Sequence, residues 1–397
     1  MIRELRRRFQ QEQFSPEKYA RLRENLERTC GVPIPFRVSE TPVFLEPSLL
    51  AEMARTTQQL LAQMVADAEY RDLSTAVIPE RYRVPEEAPC PLFVQADYGL
   101  VRHQGRLEPR LVEIQGFPSL YAFQPLLAET YRRVYGLDPQ LKTLLSGLDL
   151  DRYWALLRQA ILGDHDPENV ILLELYPEQQ KTRCDFRMTE RALGIRTVCL
   201  TQVKQYGSKL FYERDGRLKP IYRIYNRAIV DELDRLGIEA PFRWTDDLEV
   251  EWAGHPNWYF RLSKLSLPFM RHPHVPRTFF LPEMKPLPED LERWVLKPLF
   301  SFAGQGVVVG PAAEQIQQLD NPHDWILQER MTWEPVIDTP AGPTAIEVRL
   351  MLVWFEGGDP IPVNTIIRMG RGQMMGVDHN QGLEWVGASA AFYPDQP

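Results

Sequence analysis

The stretch VLKPLFSFAGQGVVVG, residues 295–310, joins a lysine to a glycine-rich turn and a run of valines. Gly304 and Gly306 can adopt the positive φ that a hairpin tip needs, and Val307 to Val309 favour a strand, so a plain β-hairpin explains the pattern. The second interpretation is a phosphate-binding loop, in which backbone N–H groups contact phosphate oxygens and Lys297 supplies a positive charge. Features outside the stretch are needed to separate the two interpretations.

Three such features lie on either side of it. Lys264 lies about thirty residues upstream, in FRLSKLSLPFM, and the apolar strand WILQERM lies about thirty residues downstream. The strand EVRLMLVW places Glu347 and Arg349 on one face, because side chains alternate along a strand, and Arg368 follows in TIIRMGRG. The chain therefore carries, in this order, two lysines with a glycine loop, a Gln-Glu strand and two arginines.

This order resembles the ATP-grasp superfamily. In that family two lysines hold the ATP phosphates, a glycine loop covers them, a Gln-Glu strand leads into the adenine-binding hinge, and arginines meet the transferred phosphate. The resemblance implies nucleotide-binding roles for Lys264, Lys297, Ser301, Gly304, Gln305, Gly306, Gln328, Glu329 and Met331. It implies catalytic roles for Arg349 and Arg368.

The magnesium ligands require a different placement from that of ordinary ATP-grasp chains, because no Glu-x-Asn pair follows Arg349. The upstream segment QADYGLVRHQGRLEPRLVEIQGFPS offers Asp97, Glu113 and Gln115, the last two on one strand face. Metal ligands ahead of the lysines resemble the circularly permuted arrangement of glutathionylspermidine synthetase-like enzymes. Here Gln115 replaces that family's asparagine, and Gln95 replaces the arginine that tends to precede its aspartate. The resemblance implies ATP and Mg²⁺ as cofactors, while a solvated sheet face is the alternative for these side chains.

Helix and strand signals organise the first part of the chain. Ser15 and Gly31 are typical of the start and end of one helix, and a second helical pattern runs from Pro47 to Tyr70. Two strands joined by a turn at Gly105 follow, and then a helix over Leu126 to Tyr135.

A β-α-β pattern begins at Val170. It consists of the buried strand VILLELY, a helix over Thr182 to Leu193 closed by Gly194, and the strand RTVCL. A hairpin at Asp215-Gly216, the strand IYRIYNR and a helix ending near Gly237 complete a small Rossmann-like unit. It lacks GxGxxG, so dinucleotide binding is not indicated.

The predicted fold class is therefore α+β / α/β, an ATP-grasp fold with two α+β lobes around ATP, a Rossmann-like pre-ATP-grasp unit and an N-terminal helical cap. The predicted regions are an N-terminal helical region (1–90), the metal-ligand part of the ATP-grasp lobe (91–150), the Rossmann-like unit (165–245) and the nucleotide-binding lobes (250–397).

Composition indicates a globular chain and argues against several partners. The net charge of −8 gives no electrostatic basis for binding nucleic acid, and the basic opening RELRRRF is short enough to be a solvated helix face. No apolar run predicts a signal peptide or a membrane span. The four cysteines have no CxxC spacing, which fits a cytoplasmic protein without disulfides or zinc; they are Cys30, Cys90, Cys184 and Cys199.

The resemblance implies an ADP-forming carboxylate–amine ligase that uses ATP and magnesium to join a small-molecule or peptide carboxylate to an amine. Two alternatives stay open at this point: a kinase-like ATP-grasp protein that phosphorylates a small molecule, and a catalytically inactive nucleotide-binding or scaffold protein. Asp378-His379-Asn380 is the other metal-like cluster, and its residue types favour a loop. The sequence identifies neither the two substrates nor the oligomeric state.

Overall fold

The computed structural model describes residues 1–301, 304–372, 374–376, 380 and 382–395. Helices α1 to α10 span Arg3–Arg8, Pro16–Cys30, Pro47–Ala66, Ala68–Ala76, Phe123–Tyr135, Leu150–Leu162, Arg183–Leu193, Val230–Leu236, Asn257–Arg261 and Ala313–Gln317. Strands β1 to β10 span Val43–Phe44, Phe93–His103, Arg106–Gln115, Val170–Glu174, Arg196–Cys199, Lys204–Tyr206, Lys209–Arg214, Arg217–Ile221, Arg223–Asn226 and Glu251–Ala253. Strands β11 to β19 span Thr278–Phe280, Trp294–Pro298, Val308–Val309, Trp325–Glu329, Ile337–Thr339, Gly342–Val353, Ile361–Gly370, Gly387–Ser389 and Ala391–Phe392.

The central sheet has the strand order β18-β17-β16-β2-β3, with β15 paired to β16, and its strand pairs are antiparallel. Strand β2 lies beside β16 although the two strands are far apart in sequence, and Asp97 is opposite Arg349. One face of the sheet is apolar: Ala96, Tyr98 and Val348 are fully buried and belong to the core cluster that includes residues of α3. Because side chains alternate along a strand, the intervening polar residues point to the opposite face.

A second, four-stranded antiparallel sheet has the order β11-β14-β12-β13. Strand β12 carries Lys297, which is opposite Ile326 on β14, and Val295 and Leu296 of β12 pair with Val309 and Val308 of β13. The glycine-rich stretch is therefore the connection of a β-hairpin, as the first interpretation of its sequence predicts. This geometry is compatible with a phosphate-binding loop as well, since both need the same turn.

The third sheet contains four parallel strands in the order β10-β9-β4-β5. The predicted parallel crossover from β4 through α7 to β5 is confirmed, and α7 ends at Gly194, whose φ is 80°. The predicted hairpin at Asp215-Gly216 joins β7 to β8, and β6 completes a three-stranded antiparallel sheet with them. Strand β10 joins the parallel sheet although it lies beyond the range 165–245, because its residues Glu251 to Ala253 continue the pairing along β9.

The N-terminal helices begin and end largely where the sequence predicts. Ser15 caps α2 by accepting a hydrogen bond from the Lys18 backbone N–H, and Gly31 ends the helix with a φ of 71°. The single helix predicted from Pro47 to Tyr70 is instead two helices, because Asp67 is extended and caps α4 by accepting from the backbone N–H of Tyr70. Helix α3 packs on the central sheet, so this region shares a core with the strands that follow it.

The basic first helix is not a purely solvated face. Arg6 is 7 % exposed, donates to the backbone carbonyl of Asp338 and lies over the rings of Phe9 and Trp385. The four cysteines are buried and unbridged. Among the described residues, no helix combines the length and the apolar character needed to cross a membrane.

Candidate functional site

One cavity of about 610 Å³ brings together most of the side chains that the sequence motifs indicate. Predicted site residues that line it are Asp97, Glu113, Gln115, Lys264, Lys297, Ser301, Gly304, Gln328, Glu329, Met331, Arg349 and Arg368. Gln305 and Gly306 are exposed and are not among the residues that line the cavity. The cavity volume is in the range of small-molecule and cofactor sites.

A buried carboxylate holds both arginines at the wall of this cavity. Asp97 is 1 % exposed and accepts from Nε and Nη2 of Arg349 at 2.6 Å each, and from Nη2 of Arg368. Arg368 also forms an ion pair with Glu347, its cross-strand neighbour on β16. Burial alone would lower the pKa of Arg368, but Glu347, Asp97 and Glu113 raise it above its usual value. Both guanidinium groups are therefore held in place by hydrogen bonds to a buried carboxylate.

Glu347 is a cavity residue that was assigned no site role from the sequence. The alternation of side chains along the strand already placed it on the same face as Arg349, and this was the sequence signal that could have identified it. Burial raises the pKa of Glu347 to about 7, against the opposing effect of Arg368, and Asp97 adds to the rise.

The three predicted metal ligands lie side by side, but their contacts differ. Both Asp97 oxygens are bonded to guanidinium groups, and the Gln115 side-chain amide lies 3.1–3.2 Å from the Arg349 guanidinium. Glu113 is the more accessible carboxylate, with its side chain 22 % exposed. Within the described ranges, no group of three His, Cys, Asp or Glu side chains is arranged to hold a metal ion. The metal site stays a prediction, and Glu113 is its accessible member.

Lys297 is held at the cavity by neutral acceptors. Its Nζ donates to the backbone carbonyl of Val112 at 3.0 Å and to Oε1 of Gln328 at 2.6 Å. The Val112 carbonyl is available because β3 has a bulge there: Glu113 pairs with Asp97 and Leu111 with the next residue, which leaves Val112 without a partner on β2. Burial lowers the pKa of Lys297 to about 8, against the opposing effect of Glu113.

Lys264 approaches the same region from a different segment. It begins a 3₁₀ turn, Lys264–Phe269, and is 7 % exposed. Its Nζ lies 3.2 Å from Oε2 of Glu113 and donates to the backbone carbonyl of Ser301 at 3.0 Å. Burial alone would raise the pKa of Glu113, but Lys264, Arg349, Lys297 and Arg368 together lower it to about 2. Glu113 is therefore a carboxylate anion among four cations.

The glycine hairpin meets the C-terminal segment over the cavity. Gly304 has a φ of 75°, a conformation that favours glycine, and a Cβ there would displace the terminal methyl group of Met374. Asn380 fixes the segment that carries Met374, because it accepts from the backbone N–H of Arg371 at 3.0 Å and donates to the carbonyls of Met374 and Gly376 at 3.1 Å. Asp378 and His379, the rest of the cluster that favours a loop, lie outside the described residues.

The Gln-Glu strand divides its side chains between two tasks. Gln328 is 1 % exposed and binds Lys297, whereas Glu329 forms a 3.3 Å ion pair with Arg277. After the strand, Met331 and Trp333 lie against the backbone of Gly99, where a Cβ would come within about 3 Å of both side chains. Trp333 also lines the cavity and was not found from sequence, since it carries no motif. This end of the cavity is its apolar end.

Another part of the cavity wall is formed by the parallel sheet. Glu174 ends β4 and Arg227 follows β9, and both line the cavity together with Glu232 of α8. The carboxyl ends of parallel strands are where ligands bind in open α/β sheets. The sequence marked this unit only by its fold pattern, because single charged residues after apolar runs carry no recognisable motif.

Comparison with known proteins found similarity of structure but no match of sequence. No protein-family model matches the chain. No curated protein matches it by sequence. The structure is similar to that of a glutathione synthetase-like effector from Globodera pallida in its apo form, with a TM-score of 0.61 and 12% sequence identity over 95% of this chain and 96% of that chain. The chain therefore has a mixed α/β fold with several sheets, similar to that of a glutathione synthetase-like structure.

Proposed function

We propose that this protein is an ATP-dependent ligase that joins a carboxylate to an amine through an acyl phosphate, and that its ATP-grasp lobes are circularly permuted. The observation that carries the proposal is the convergence of four cations, Lys264, Lys297, Arg349 and Arg368, on one cavity from separate parts of the chain. A triphosphate needs such compensation, and transfer of its terminal phosphoryl group needs positioning and charge neutralisation more than a protein nucleophile.

The contacts of Lys297 support a nucleotide in this cavity. Lys297 is 5 % exposed, its ammonium is bonded to a carbonyl and an amide oxygen, and no carboxylate among the described residues forms an ion pair with it. A buried cation without an anionic partner is unfavourable, as its lowered pKa reflects. A phosphate group would supply the missing charge. The apolar end at Met331 and Trp333 suits a base, since aromatic and thioether side chains pack on flat rings.

The permutation is supported by strand pairing. The hairpin of β2 and β3 precedes the parallel sheet in sequence but pairs with the arginine strand β16, so residues from both ends of the chain line one cavity. Motifs that another chain would carry after its arginine strand can therefore lie ahead of the lysines. The likeness to a glutathione synthetase-like structure at 12% identity supports the fold that this interpretation requires.

The residues fit magnesium that arrives with the nucleotide. Mg²⁺ is commonly bound by one or two carboxylates together with substrate phosphates and water. Glu113 would be the protein ligand, since it is ionised and accessible, while Asp97 is occupied by the arginines. When bound, the cation would neutralise charge on the phosphates during transfer.

The chain's own groups account for the remaining steps. Lys264 and Lys297 bind the phosphates, and the Gly304 hairpin with Met374 limits access of water, which would hydrolyse an acyl phosphate. Arg349 and Arg368, held by Asp97, orient the carboxylate that attacks the terminal phosphorus. The acyl phosphate then offers a good leaving group to an amine.

A hydroxylamine screen tests the proposal. The wild-type protein would be mixed with ATP, MgCl₂, hydroxylamine and, one at a time, amino acids, N-acylated amino acids, di- and tripeptides and dicarboxylic acids. We expect at least one acid to give a hydroxamate, detected by its Fe³⁺ complex, with one ADP released for each hydroxamate. ADP release without any hydroxamate would favour a kinase, and no ADP release with any acid would remove the enzymatic interpretation.

A further inference from the structure

The cavity is electrically asymmetric between its two ends. The phosphate end contains four cations, Lys264, Lys297, Arg349 and Arg368, beside three carboxylates, Asp97, Glu113 and Glu347. The far end, at the parallel sheet, contains Glu174, Glu232 and Arg227. A ligase must bring its amine substrate to the side of the carboxylate that faces away from ATP, so the two ends need different chemistry.

The positive charge at the far end is already compensated. Arg227 is 3 % exposed and donates from Nη1 to Oδ2 of Asp185 at 3.0 Å. Asp185 is fully buried and also accepts from the backbone N–H groups of Ala122 and Phe123 at 2.9 Å. Asp185 and Arg227 therefore form a neutral pair, and among the described residues Arg227 is the ion-pair partner of neither Glu174 nor Glu232.

Glu174 is the buried carboxylate of that end. It is 4 % exposed, lines the cavity, and accepts through Oε1 from the N–H of Leu175 at 2.7 Å. Within the part of the chain that the structure describes, no lysine or arginine forms an ion pair with it. Burial raises the pKa of Glu174 to about 8, against the opposing effect of Arg227, and Glu232 adds to the rise. A buried carboxylate at a cavity wall without a cation is unfavourable unless a ligand supplies one.

The neighbouring groups hold a second carboxylate close by. Gln180 donates from Nε2 to the backbone carbonyl of Leu175 at 2.8 Å, and the same nitrogen lies 3.5 Å from Oε2 of Glu232. Glu232 is partly compensated by Arg235, 3.6 Å away at the surface. The far end therefore has one carboxyl group without an ion-pair partner, that of Glu174, and beside it a second one, that of Glu232, which Arg235 partly compensates. Separately, Nε of Arg227 is buried without a hydrogen-bond partner, which marks a polar group at this wall that the protein leaves unsatisfied.

We propose that the far end of the cavity is the amine site, where Glu174 binds the protonated amino group of the nucleophile and accepts its proton. This inference rests on the proposed ligase function and extends it to the substrate class, a primary amine that is cationic at neutral pH. In the free protein the Glu174 carboxyl group is largely protonated at neutral pH, and it loses that proton to solvent when the cationic amine binds beside it. In the step, R–NH₃⁺ then gives a proton to the Glu174 carboxylate and becomes R–NH₂. The nitrogen lone pair attacks the carbonyl carbon of the acyl phosphate, and the bond between that carbon and the phosphate oxygen breaks. The leaving phosphate takes the second N–H proton, which gives the amide and HPO₄²⁻.

Hydroxylamine separates this role from the chemistry that precedes it. It is largely unprotonated at neutral pH, so it needs neither an anionic site nor a base. The test compares hydroxylamine with glycine, methylamine and 1,4-diaminobutane as nucleophiles, each with the acid that gives the most hydroxamate in the wild-type screen. The variants are Glu174→Gln, which keeps the shape of the side chain, and Glu178→Gln as the control, because Glu178 lies on the same segment with its carboxylate 72% exposed.

We expect Glu174→Gln to lower turnover with the amine that the wild type uses best by about 100-fold, the middle of the range for a general base. Hydroxamate formation should be nearly unchanged, and Glu178→Gln should match the wild type with both nucleophiles. Unchanged amine turnover in Glu174→Gln would overturn the inference. Equal loss of hydroxamate formation would overturn it too, since the side chain would then be structural. If the wild type forms a hydroxamate but accepts none of the three amines, that result would also count against the amine site. If the wild type forms no hydroxamate, the result would count against the proposed ligase function itself.

Discussion

Arg349 and Asp97 are 252 positions apart in sequence, yet they are cross-strand neighbours joined by two hydrogen bonds of 2.6 Å. The pair ties the hairpin of β2 and β3 to the arginine strand β16. The same carboxylate also contacts Arg368, so Asp97 holds two positive charges on the polar face of the central sheet. The two guanidinium groups are therefore positioned before any ligand binds.

Asp97→Asn should destabilise the fold even without nucleotide or metal. The substitution removes the negative charge between two largely buried guanidinium groups, and breaking such a pair costs about 3–5 kcal/mol. Urea denaturation of the ligand-free protein would measure the loss of unfolding free energy, with Asp151→Asn on an exposed helix position as the control. If Asp97 were only a metal ligand, the free energy of unfolding without metal would not fall.

Lys297→Met should weaken ATP binding by about 10-fold or more, since charge-assisted hydrogen bonds contribute on the order of 1.5–3 kcal/mol. Methionine keeps the apolar stem and removes the ammonium. Calorimetric titration with ATP and magnesium would measure the change. Lys209→Met is the matched control, because that side chain is 57% exposed and lies on the separate three-stranded sheet. An unchanged dissociation constant in Lys297→Met would exclude this lysine from the nucleotide site.

The same lysine gives the site a pH dependence. Burial lowers the pKa of Lys297 from 10.5 to about 8, so its ammonium is present well below pH 8 and is lost as the pH rises through that value. ATP affinity should therefore fall above about pH 8 in the wild type. The stability of the free protein should show the opposite trend, rising between about pH 8 and 10.5, because there the unfolded chain binds more protons than the folded one. Lys297→Met should lose both dependences, and a wild-type affinity that stays flat to pH 9.5 would contradict the assignment.

Glu113→Gln should raise the magnesium concentration required for half-maximal turnover. Glu113 is the accessible carboxylate among the predicted metal ligands, and an amide is a weaker ligand for Mg²⁺ than a carboxylate. Turnover would be titrated with MgCl₂ at fixed ATP. Glu108→Gln, on the same strand β3 but outside the cavity lining, serves as the control. Equal magnesium dependence in Glu113→Gln and the wild type would remove Glu113 from the metal site.

The parts of the fold that sequence reasoning found are those with local signals. Ser15 and Gly31 mark the ends of α2, and Gly194 ends α7, because capping and left-handed geometry restrict the residues allowed there. The alternation along β16 placed Glu347 and Arg349 on one face for the same reason. The break at Asp67 was missed, since an aspartate within a helical pattern does not reveal whether its side chain caps a new helix.

The side-chain partners in the site could not be read from local patterns. That Asp97 binds arginines depends on a strand pairing across most of the chain, and that Lys297 binds the Val112 carbonyl depends on a bulge of one residue. Glu174 follows an apolar run like many strand-ending residues, and only its burial at the cavity wall distinguishes it. Such contacts are set by tertiary packing, which no sequence window contains.

Transfer of an oxygen isotope tests the central claim most directly. The acid identified by the hydroxamate screen would be labelled with ¹⁸O in its carboxylate and incubated with the protein, ATP, magnesium and an amine or hydroxylamine, and the released phosphate would be analysed by mass spectrometry. An acyl-phosphate route requires one ¹⁸O atom from the carboxylate in each phosphate, because the carbon–oxygen bond breaks when the nitrogen attacks. Phosphate that contains no ¹⁸O while product forms would contradict the account.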